Sequence, residues 1–399
     1  MTAFSTVPIK YVATINRATL AEATPPDSSI RYADIGSVGR GNFVREPESL
    51  TFGQAPSRAR RVTAQGDVLI STVRTYLRAV AQVGHEDDGL IASTGFATLT
   101  PNSDVDSRFL YYAISADSFV EEVVARSVGV SYPAIAPTDL SEVPIPVPPL
   151  EMQRRIADYL DTETARIDRL IDKNDEVLSL LDERRQALIS RTVIGPPGRE
   201  YPNRPLRYIA RRVTVGIVVE PAKLYVEEGG VPALRGQNVQ PGEVTPDDVV
   251  HISEPANRAH GKSILGEGDV VVVRTGKAGA AAVVPAWAVG GNAIDLLIVS
   301  PGPDVAPRFL EYALNSDLVK EQVAAGTVGA IQGHFNVATL REIELPVPDR
   351  SDQARAVQML DVSLKRQTQL STHVRWQQLL LQERRRALIT AAATGELEV

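Results

Sequence analysis

The chain has 399 residues, enough for two or three domains that each bury a core, and its composition is that of a globular protein, with 43% hydrophobic and 23% charged residues. It has no cysteine, which excludes disulfides and thiolate metal sites, and no apolar run approaches the roughly 18 residues of a membrane span. The net charge of −7 does not indicate a nucleic-acid-binding protein, so any such affinity must come from local basic clusters or be shared with a more basic partner.

The chain is one unit written twice, with an offset of 200 residues in the later part of each half. The matching segments are Arg108–Ala113 with Arg308–Ala313, Pro146–Pro148 with Pro346–Pro348, and Glu183–Ile189 with Glu383–Ile389. Between the matching segments, one internal stretch of each half diverges. Because drift alone would not confine divergence to one stretch, the pattern favours two halves with different specificities.

Each globular half is predicted to mix strands and helices. Gly66–Val73 is typical of a turn that enters a buried strand, and Gly268–Val273 repeats it. Residues 108–127 place apolar side chains on one helical face, which residues 308–325 copy. Four prolines between 144 and 149 then form an extended connector that no helix crosses.

A long helix is predicted after each connector, because the hydrophobic period changes to heptads. Alternating steps of four and three over residues 153–188 and 353–388 trace two seams of about five heptads. Helices of this length cannot bury a seam alone, so we expect them to pair with each other, antiparallel. Gly195–Gly198 ends the first helix, and Asn174 within the seam is predicted to fix the register.

These elements predict four segments and a set of outward-facing docking residues. The segments are a first globular domain at 1–149, a long helix at 150–195, a second globular domain at 196–348 and a second long helix at 349–399. The candidate docking residues on the outer helix faces are Leu170, Leu180, Leu370, Trp376 and Leu380.

Local charge is the basis for the candidate nucleic-acid contacts. Residues 40–80 hold seven arginines against three acidic residues, and the arginine fork suits both phosphate and guanine. The candidates in the first half are Arg58, Arg60, Arg61, Arg74 and Arg78, with the loop residues Ser131 and Tyr132. Those in the second half are Arg258, Lys262, Arg274 and Lys277, with the loop residues Gln332 and His334. Any one of them alone is as easily a solvated side chain, so the prediction rests on clusters at matched repeat positions.

Motifs for catalysis are missing from the sequence. None of the three Pro-Pro pairs is followed by the aromatic residue of an amino-methyltransferase loop, and Gly276-Lys277 lacks the upstream glycine of a phosphate-binding loop. The five histidines include no pair at metal-ligand spacing. The sequence therefore predicts no catalytic residue, no metal and no cofactor in this chain. It favours a binding protein over a self-sufficient modification enzyme.

The arrangement of these segments resembles a known family. A variable half, a proline-rich exit and a helix start at Gln153–Leu160 are similar to the specificity subunits of type I restriction–modification systems, as is Ser93–Leu99. The resemblance covers both units. Met152 departs from the family at a position where members usually carry an acidic residue, and the second long helix starts unusually at Ser351–Arg355.

The resemblance implies tandem α/β (α+β) target-recognition domains, each followed by a long helix, with the two helices paired as an antiparallel coiled coil. It implies a non-catalytic subunit that reads an asymmetric, two-part site in double-stranded DNA. The helices would set the gap and recruit two methyltransferase subunits, which bind S-adenosylmethionine, and a motor-nuclease restriction subunit. Without a secretory signal pattern, the chain is expected to be cytoplasmic, with no membrane partner. The alternative is a coiled-coil adaptor whose halves bind peptides.

Overall fold

The computed structural model describes residues 4–39, 43, 45–196, 198–199, 201–276, 278–327 and 335–399. The chain divides into two compact units, Met1–Asp175 with Arg375–Val399 as the first and Glu176–Val374 as the second. Each unit therefore contains one globular half and a stretch of both long helices. The four predicted segments are not tested by this division and stay a prediction.

The elements of the first unit's globular half precede the first long helix. The strands are β1 (Thr6–Pro8), β2 (Ala13–Ile15), β3 (Ala18–Thr19), β4 (Ser29–Ala33), β5 (Glu48–Thr51), β6 (Ala59–Val62), β7 (Val68–Ser71), β8 (Val80–Gln82), β9 (Ile91–Ser93), β10 (Phe96–Pro101) and β11 (Pro144–Pro146). The helices are α1 (Ser107–Ser115), α2 (Asp117–Arg126) and α3 (Pro137–Ser141), followed by the long helix α4 (Leu150–Ile194).

The second globular half lies between the two long helices. Its strands are β12 (Asn203–Pro205), β13 (Ala210–Val215), β14 (Tyr225–Val226), β15 (Val231–Leu234), β16 (Val239–Gln240), β17 (Glu243–Val244), β18 (Val250–Ile252), β19 (Val270–Val273), β20 (Ala281–Val283), β21 (Asn292–Ala293), β22 (Leu296–Pro301) and β23 (Glu344–Pro346). Its helices are α5 (Leu206–Ile209), α6 (Glu254–Ala259), α7 (Pro307–Leu314), α8 (Asp317–Thr327) and α9 (Val337–Glu342), followed by the long helix α10 (Arg350–Thr394).

The framework that repeats is a four-stranded antiparallel sheet. Its strand order is β2-β10-β7-β8 in the first half and β13-β22-β19-β20 in the second. β7 and β19 are buried at every residue, as the turn-and-strand pattern predicts. The prediction of a buried strand in each half is therefore confirmed, and an unbroken apolar run is what a strand covered on both faces requires.

The second sheet of each half is where the two copies differ. Both contain a parallel strand pair, β4 with β9 and β15 with β21. In the first half the order is β3-β6-β9-β4-β5, whereas in the second it is β14-β18-β15-β21. The first half thus adds β6 and β3 on the β9 side, while the second adds β14 on the opposite side. This difference gives a structural basis for the divergent stretch between the matching segments.

The helix pair on the framework sheet corrects one detail of the sequence prediction. The single helical face expected over residues 108–127 is two helices, because the chain turns at Ala116, whose ψ of 142° is extended. The apolar face itself is real, since Phe109, Phe119 and Val123 are all buried. The helical period is therefore confirmed, whereas the sequence pattern does not indicate the break at Ala116.

In the second half the first of these helices also covers the edge strand β20. The buried carboxylate of Glu311 accepts the Val283 N–H at 2.8 Å, and the Asn315 side chain exchanges hydrogen bonds with both backbone groups of Ala281, at 3.0 and 2.7 Å. Backbone groups at a sheet edge are otherwise open to pairing with another strand. Side chains of α7 and the residue after it therefore close this edge.

The long helices confirm both predicted seams. Every position of the two heptad patterns is buried or half-buried. In the first unit Arg385 pairs with Asp168 at 2.9 Å and Gln378 donates to Asp175 at 2.6 Å, so partners descend along α10 as they ascend along α4. This order is antiparallel, as expected. α4 ends at Ile194, one residue before the predicted stop, and no helix in the described ranges combines the length and apolar character of a membrane span.

The long helices also pack onto the globular halves, which the heptad pattern alone did not indicate. Ile156 of α4 and Ile389 of α10 belong to the core that contains the framework sheet of the first unit. In the second unit, Ile189 and Leu360 do the same. Ile156, Ile189 and Ile389 lie beside seam positions and Leu360 lies on one, so the helices present a wider apolar face near their ends than a two-helix coiled coil needs.

A repeated glutamine joins each long helix to the framework. The Gln153 side chain, 1% exposed, accepts the Asp106 N–H at 2.9 Å and donates to the Pro148 carbonyl at 2.8 Å. Gln353 makes the equivalent bonds in the second unit, to Ala306 and Pro348. Since buried backbone groups must be paired, these glutamines fix where each helix begins.

Replacing Gln153 with leucine is expected to destabilise the first unit by about 2 kcal/mol, because a leucine leaves buried backbone groups without partners. Chemical denaturation of the full chain measures the loss, and hydrogen exchange of amides in 1–149 locates it. Gln377→Leu on the exposed face of α10 is the control. Equal stability of the two variants would contradict a structural role for Gln153.

Candidate nucleic-acid interface

In the first unit, loops from both sheets meet where β4, β7 and β9 end. The Thr94 N–H donates to the Arg58 carbonyl at 2.8 Å, and the Thr72 N–H donates to the Gly95 carbonyl at 2.8 Å. Asp34 directly follows β4, and its carboxylate lies 3.9 Å from the Arg58 guanidinium. We call residues 34, 58, 72–74 and 94–95 the first edge. It is a continuous surface formed by the ends of neighbouring strands.

Two of the predicted arginines belong to this edge. Arg58, whose side chain is 58% exposed, donates from Nε to the Tyr32 hydroxyl at 3.1 Å, and this hydrogen bond raises the pKa of the guanidinium. Arg74 has a left-handed backbone, with φ of 52°, and its guanidinium lies 4.4 Å from the centre of the Tyr132 ring. The structure therefore brings Arg58, Arg74 and Tyr132 to one side of the first unit. The cation–π contact orients Arg74 without neutralising it.

Arg60 and Arg61 lie on β6, just beyond the edge. The pairing with β9 shifts between Ala59 and Arg61, so Arg60 is the extra residue of a β-bulge, and its guanidinium lies 5.0 Å from the centre of the Phe52 ring. Burial lowers the pKa of Arg61, and within the described residues its Nε has no hydrogen-bond partner. Bulges re-aim side chains near functional sites, which suits Arg60 better than Arg61.

Arg78 has a structural partner. It forms an ion pair with Asp117 at the start of α2 and, like Arg74, has a positive φ, of 58°. Its charge is therefore neutralised by this ion pair, which holds the loop after β7 against the helix pair. A long-range pair of this kind cannot be read from the charge cluster alone.

The second unit has an equivalent edge with different charges. The Ile294 N–H donates to the Leu234 carbonyl at 2.8 Å, which brings the ends of the parallel strands β15 and β21 together. Arg235 follows β15 and Asp295 follows Ile294. Arg274, which follows β19, pairs with Asp295 at 2.6 Å. We call residues 235–236, 273–274 and 294–295 the second edge.

Comparison of the edges shows different side chains at matched positions. Gly95 and Asp295 correspond at the offset of 200, whereas β7 and β19 correspond at an offset of 202, which matches Thr72 with Arg274. The Ile135 N–H donates to the Thr72 carbonyl as the Phe335 N–H donates to the Arg274 carbonyl, which supports this match. Arg274 has a carboxylate partner in Asp295, whereas no ion pair of Arg74 is formed within the described residues. The sequence analysis did not single out Asp295 or Arg235. Aligning the residues that follow the matched strands would have found both.

The positions of the remaining candidate residues say less about contact with nucleic acid. Arg258 lies on α6 and pairs with Glu254 one turn away, and Lys262 lies exposed in the following 3-10 turn. No strand of the described second half corresponds to β6, so these residues do not match Arg58, Arg60 and Arg61 as expected. Ser131 is exposed in the loop after α2. Lys277, Gln332 and His334 lie outside the described residues.

The five predicted docking residues are all exposed. Leu170, Trp376 and Leu380 lie on the helices of the first unit, at 44%, 60% and 47% exposure. Leu180 and Leu370 lie on those of the second, at 55% and 49%. Leu370 lines a groove of about 440 Å³ between α4 and α10, together with Leu181 and Leu188 and with the arginines 184, 191 and 366. Large exposed apolar side chains on each unit are typical of an interaction surface.

Among the described residues, no group of three or more histidine, aspartate or glutamate side chains is arranged to hold a metal ion. The geometry of the two edges is that of a binding surface. Arg74 and Arg274, which have different partners, lie after the matched strands β7 and β19 of a common framework.

Residues 30–179 match the family model of the type I restriction modification DNA specificity domain. Among curated relatives, the type I restriction enzyme HindI specificity subunit of Haemophilus influenzae is 24% identical over 57% of this chain and 48% of its own length. The EcoBI specificity subunit of Escherichia coli is 20% identical over 64% and 58%, respectively. The chain thus spans about half the length of these two relatives. The resemblance stated from the sequence is confirmed, and the adaptor alternative is not favoured.

Solved structures show the same fold. A chain from a study of complex assembly and conformational transition of the type I R-M system aligns over 100% of this chain and 99% of its own length, with a TM-score of 0.78 and 24% identity. The HsdS subunit from Thermoanaerobacter tengcongensis aligns over 99% and 97%, with a TM-score of 0.50 and 24% identity. At these identities the likeness is one of fold. It confirms tandem mixed α/β domains, each followed by a long helix.

Proposed function

Because residues 30–179 carry the match to the type I restriction modification DNA specificity domain, we propose that the whole chain is a sequence-reading specificity subunit of such a system. Each globular half reads one part of an asymmetric, two-part site in double-stranded DNA. The observation that supports this most directly is the pair of edges, where Arg74 follows β7 and lies over the Tyr132 ring, while Arg274 follows the matching strand β19 and pairs with Asp295. Arginine near base edges discriminates sequence, and a carboxylate partner changes which acceptors its N–H groups can reach.

The partners belong to the same proposal. Two methyltransferase subunits, which supply the bound S-adenosylmethionine, dock on the long helices through the exposed apolar residues 170, 180, 370, 376 and 380, and a motor-nuclease subunit joins them. In this role, methylation and cleavage are carried out by the partners, in the cytoplasm, rather than by this chain. Near-equivalent helices in the two units favour two like partners, while the different edges favour an asymmetric target.

We rank the proposed DNA contacts by the partners that each side chain has within this chain. Arg58, Arg74, Tyr132 and Ser131 border the first edge, with Arg60 and Arg61 beside it. Arg274 lies on the second edge, where we now add Arg235. Arg78, Arg258 and Lys262 are secondary candidates, since two of them have carboxylate partners of their own.

The test is to express the chain with its methyltransferase partner and map methyladenine across a genome. The expected result is a discontinuous motif whose two parts differ and which depends on this chain. A continuous palindromic motif, or methylation that is indifferent to the chain, would contradict the proposal.

The affinity for DNA is expected to rise when the carboxylate of Asp295 on the second edge is replaced by the glycine that the first edge has at the matched position. Asp295→Gly removes the partner of Arg274, and Asp295 has φ of 50°, a backbone conformation that glycine adopts without strain. If the freed Arg274 reaches a phosphate, the affinity of the assembled complex for duplex DNA rises. The log–log salt dependence then steepens by about 0.9, the value for one added phosphate contact. Titrations at several salt concentrations measure this slope.

The matched control is Asp304→Asn, which removes a carboxylate from its ion pair with Arg204 near the other end of β22. Its salt dependence should equal that of the unmodified complex. A steeper slope in the control, or an unchanged slope for Asp295→Gly, would separate the second edge from the DNA.

A further inference from the structure

The loop after α2 exposes apolar side chains to solvent. Val128 is 78% exposed, Val130 is 100% exposed and Tyr132 is 63% exposed. Isolated surface valines are common, but a fully exposed valine between two other exposed apolar side chains on one short loop is not. We call residues 128–134 the finger.

The finger is a hairpin that is closed at its base by a pair of backbone hydrogen bonds. The Val128 N–H donates to the Ala134 carbonyl at 2.8 Å, and the Ala134 N–H donates to the Val128 carbonyl at 3.0 Å. Below this pair, the hydroxyls of Ser127 and Thr75 are hydrogen-bonded at 2.8 Å. The exposed tip therefore stands on paired backbone. Its position is set before any partner binds, which lowers the entropy cost of binding.

The turn of the finger depends on Gly129. Its φ of 118° is one that residues with a side chain rarely adopt, and a Cβ there would lie 3.1 Å from the Tyr132 carbonyl oxygen. The sequence thus places a glycine where the chain must turn back and valines on both sides of it. Val130 is held at the tip by this geometry.

The finger continues the first edge. The Arg74 N–H donates to the Pro133 carbonyl at 2.7 Å, and the Ile135 N–H donates to the Thr72 carbonyl at 2.9 Å. The Arg74 guanidinium lies over the Tyr132 ring, so a cation stands directly beside the apolar tip. A surface with an unneutralised arginine next to an exposed apolar side chain complements a nucleic acid, in which phosphates flank stacked bases.

The sequence favours DNA over a protein partner as the occupant. The surfaces proposed to bind two like partners repeat between the halves, as the long helices do. In the sequence, Val128 and Gly129 return as Val328 and Gly329, whereas Val130 and Tyr132 correspond to Ala330 and Gln332 at the offset of 200. Side chains that differ between the halves suit the asymmetric ligand.

We propose that the finger is an apolar wedge, and that Val130 enters the DNA between two base pairs of one half-site while Arg74 holds the adjacent backbone. This proposal rests on the proposed function. It adds that the first half selects DNA sequences by how easily they deform. Apolar side chains inserted between base steps kink the duplex, and flexible pyrimidine–purine steps kink most easily. The first half would then read, in addition to base edges, which step can open.

The test uses the full chain assembled with its methyltransferase subunits, carrying Val130→Ser or the control Val124→Ser on α2. The probe is a duplex with the site found by methyladenine mapping, in which 2-aminopurine replaces one base at a time at positions other than the methylated adenine. The unmodified complex is expected to raise the fluorescence at one step of one half-site. Val130→Ser should abolish that rise and weaken binding about tenfold, whereas Val124→Ser should leave both unchanged.

Three results would overturn the wedge. The first is no fluorescence rise with the unmodified complex, although it binds the site. The second is an undiminished rise with Val130→Ser. The third is loss of the methyltransferase from the Val130→Ser complex on gel filtration, which would assign the finger to a protein partner. If the unmodified complex fails to bind any two-part site, the proposed function falls together with the wedge.

Discussion

Replacing Arg308 with alanine is expected to destabilise the second unit by about 3 kcal/mol at neutral pH, because it leaves a buried carboxylate without its cation. Glu311 is 1% exposed, and its Oε1 lies 2.5 Å from the Arg308 guanidinium. The value is at the low end for a broken buried ion pair because Arg308 is itself 42% exposed. Urea denaturation followed by circular dichroism measures the change.

The same variant should recover as the pH falls. Burial raises the pKa of Glu311, and Arg308 opposes that rise. Without Arg308 the folded-state pKa rises further above the ordinary value of 4.5, so the folded state prefers the protonated acid. A group with a raised pKa costs stability as the pH rises through that pKa. The deficit relative to the unmodified chain should therefore shrink from neutral pH toward pH 5.

The repeat supplies a matched control for this experiment. Arg108 occupies the equivalent position in the first unit and contacts Asp161 at 2.8 Å, as Arg308 contacts Asp361 at 3.0 Å. Position 111, which matches Glu311, carries a tyrosine, so Arg108→Ala leaves no buried carboxylate without its cation. We expect it to cost about 1 kcal/mol or less, since Asp161 is 41% exposed, with little dependence on pH. Parallel pH dependence of the two variants would contradict the role given to Glu311.

Arg74→Ala is expected to weaken DNA binding by the assembled complex about ten- to a hundredfold, the range of 1–3 kcal/mol for one well-placed arginine contact. The guanidinium is oriented by the Tyr132 ring and is not neutralised by an ion pair within the described residues. If it contacts phosphate, the loss should be uniform across sequences and the salt slope should fall by about one. If it contacts a base, the half-site motif should relax at one position.

Lys10→Ala is the control for lost positive charge, because Lys10 pairs with Glu142 near the end of the framework sheet opposite Arg74. Fluorescence anisotropy with the mapped site and with mixed-sequence DNA compares the two variants. Equal affinities for Arg74→Ala, Lys10→Ala and the unmodified complex would remove Arg74 from the interface.

Much of the fold could be predicted because its signals are periodic or repeated. The heptad seams, the buried strands β7 and β19 and the offset of 200 are local patterns, and the structure confirms them. The parts that could not be predicted depend on contacts between distant residues. Nothing near Arg78 in sequence indicates that Asp117 neutralises it. Arg274 and Asp295 form an ion pair only because the folded sheet brings the ends of their strands together.

The candidate site shows the same limit. The sequence located the basic cluster at 58–78 but treated its members alike. The structure separates them by partner, with Arg74 over an aromatic ring, Arg78 in an ion pair and Arg61 partly buried. Equivalence with the second cluster also failed, because β6 has no counterpart among the described strands there. Charge counts find a region, and only tertiary contacts decide which charges remain available.

The inclusion of Arg375–Val399 in the first unit has a consequence for synthesis of the chain. Ile156 and Leu160 share their core with Ile389 and Ala392, which are translated after the whole of the second unit. At about 5–20 residues per second, the stretch between the two parts of this unit takes about 10–40 seconds to translate. Throughout that interval the apolar face at the start of α4 lacks the part of its native cover that α10 provides. The first unit is therefore completed only after the second unit has been translated, and a nascent chain stalled before residue 375 exposes an apolar surface that chaperones recognise.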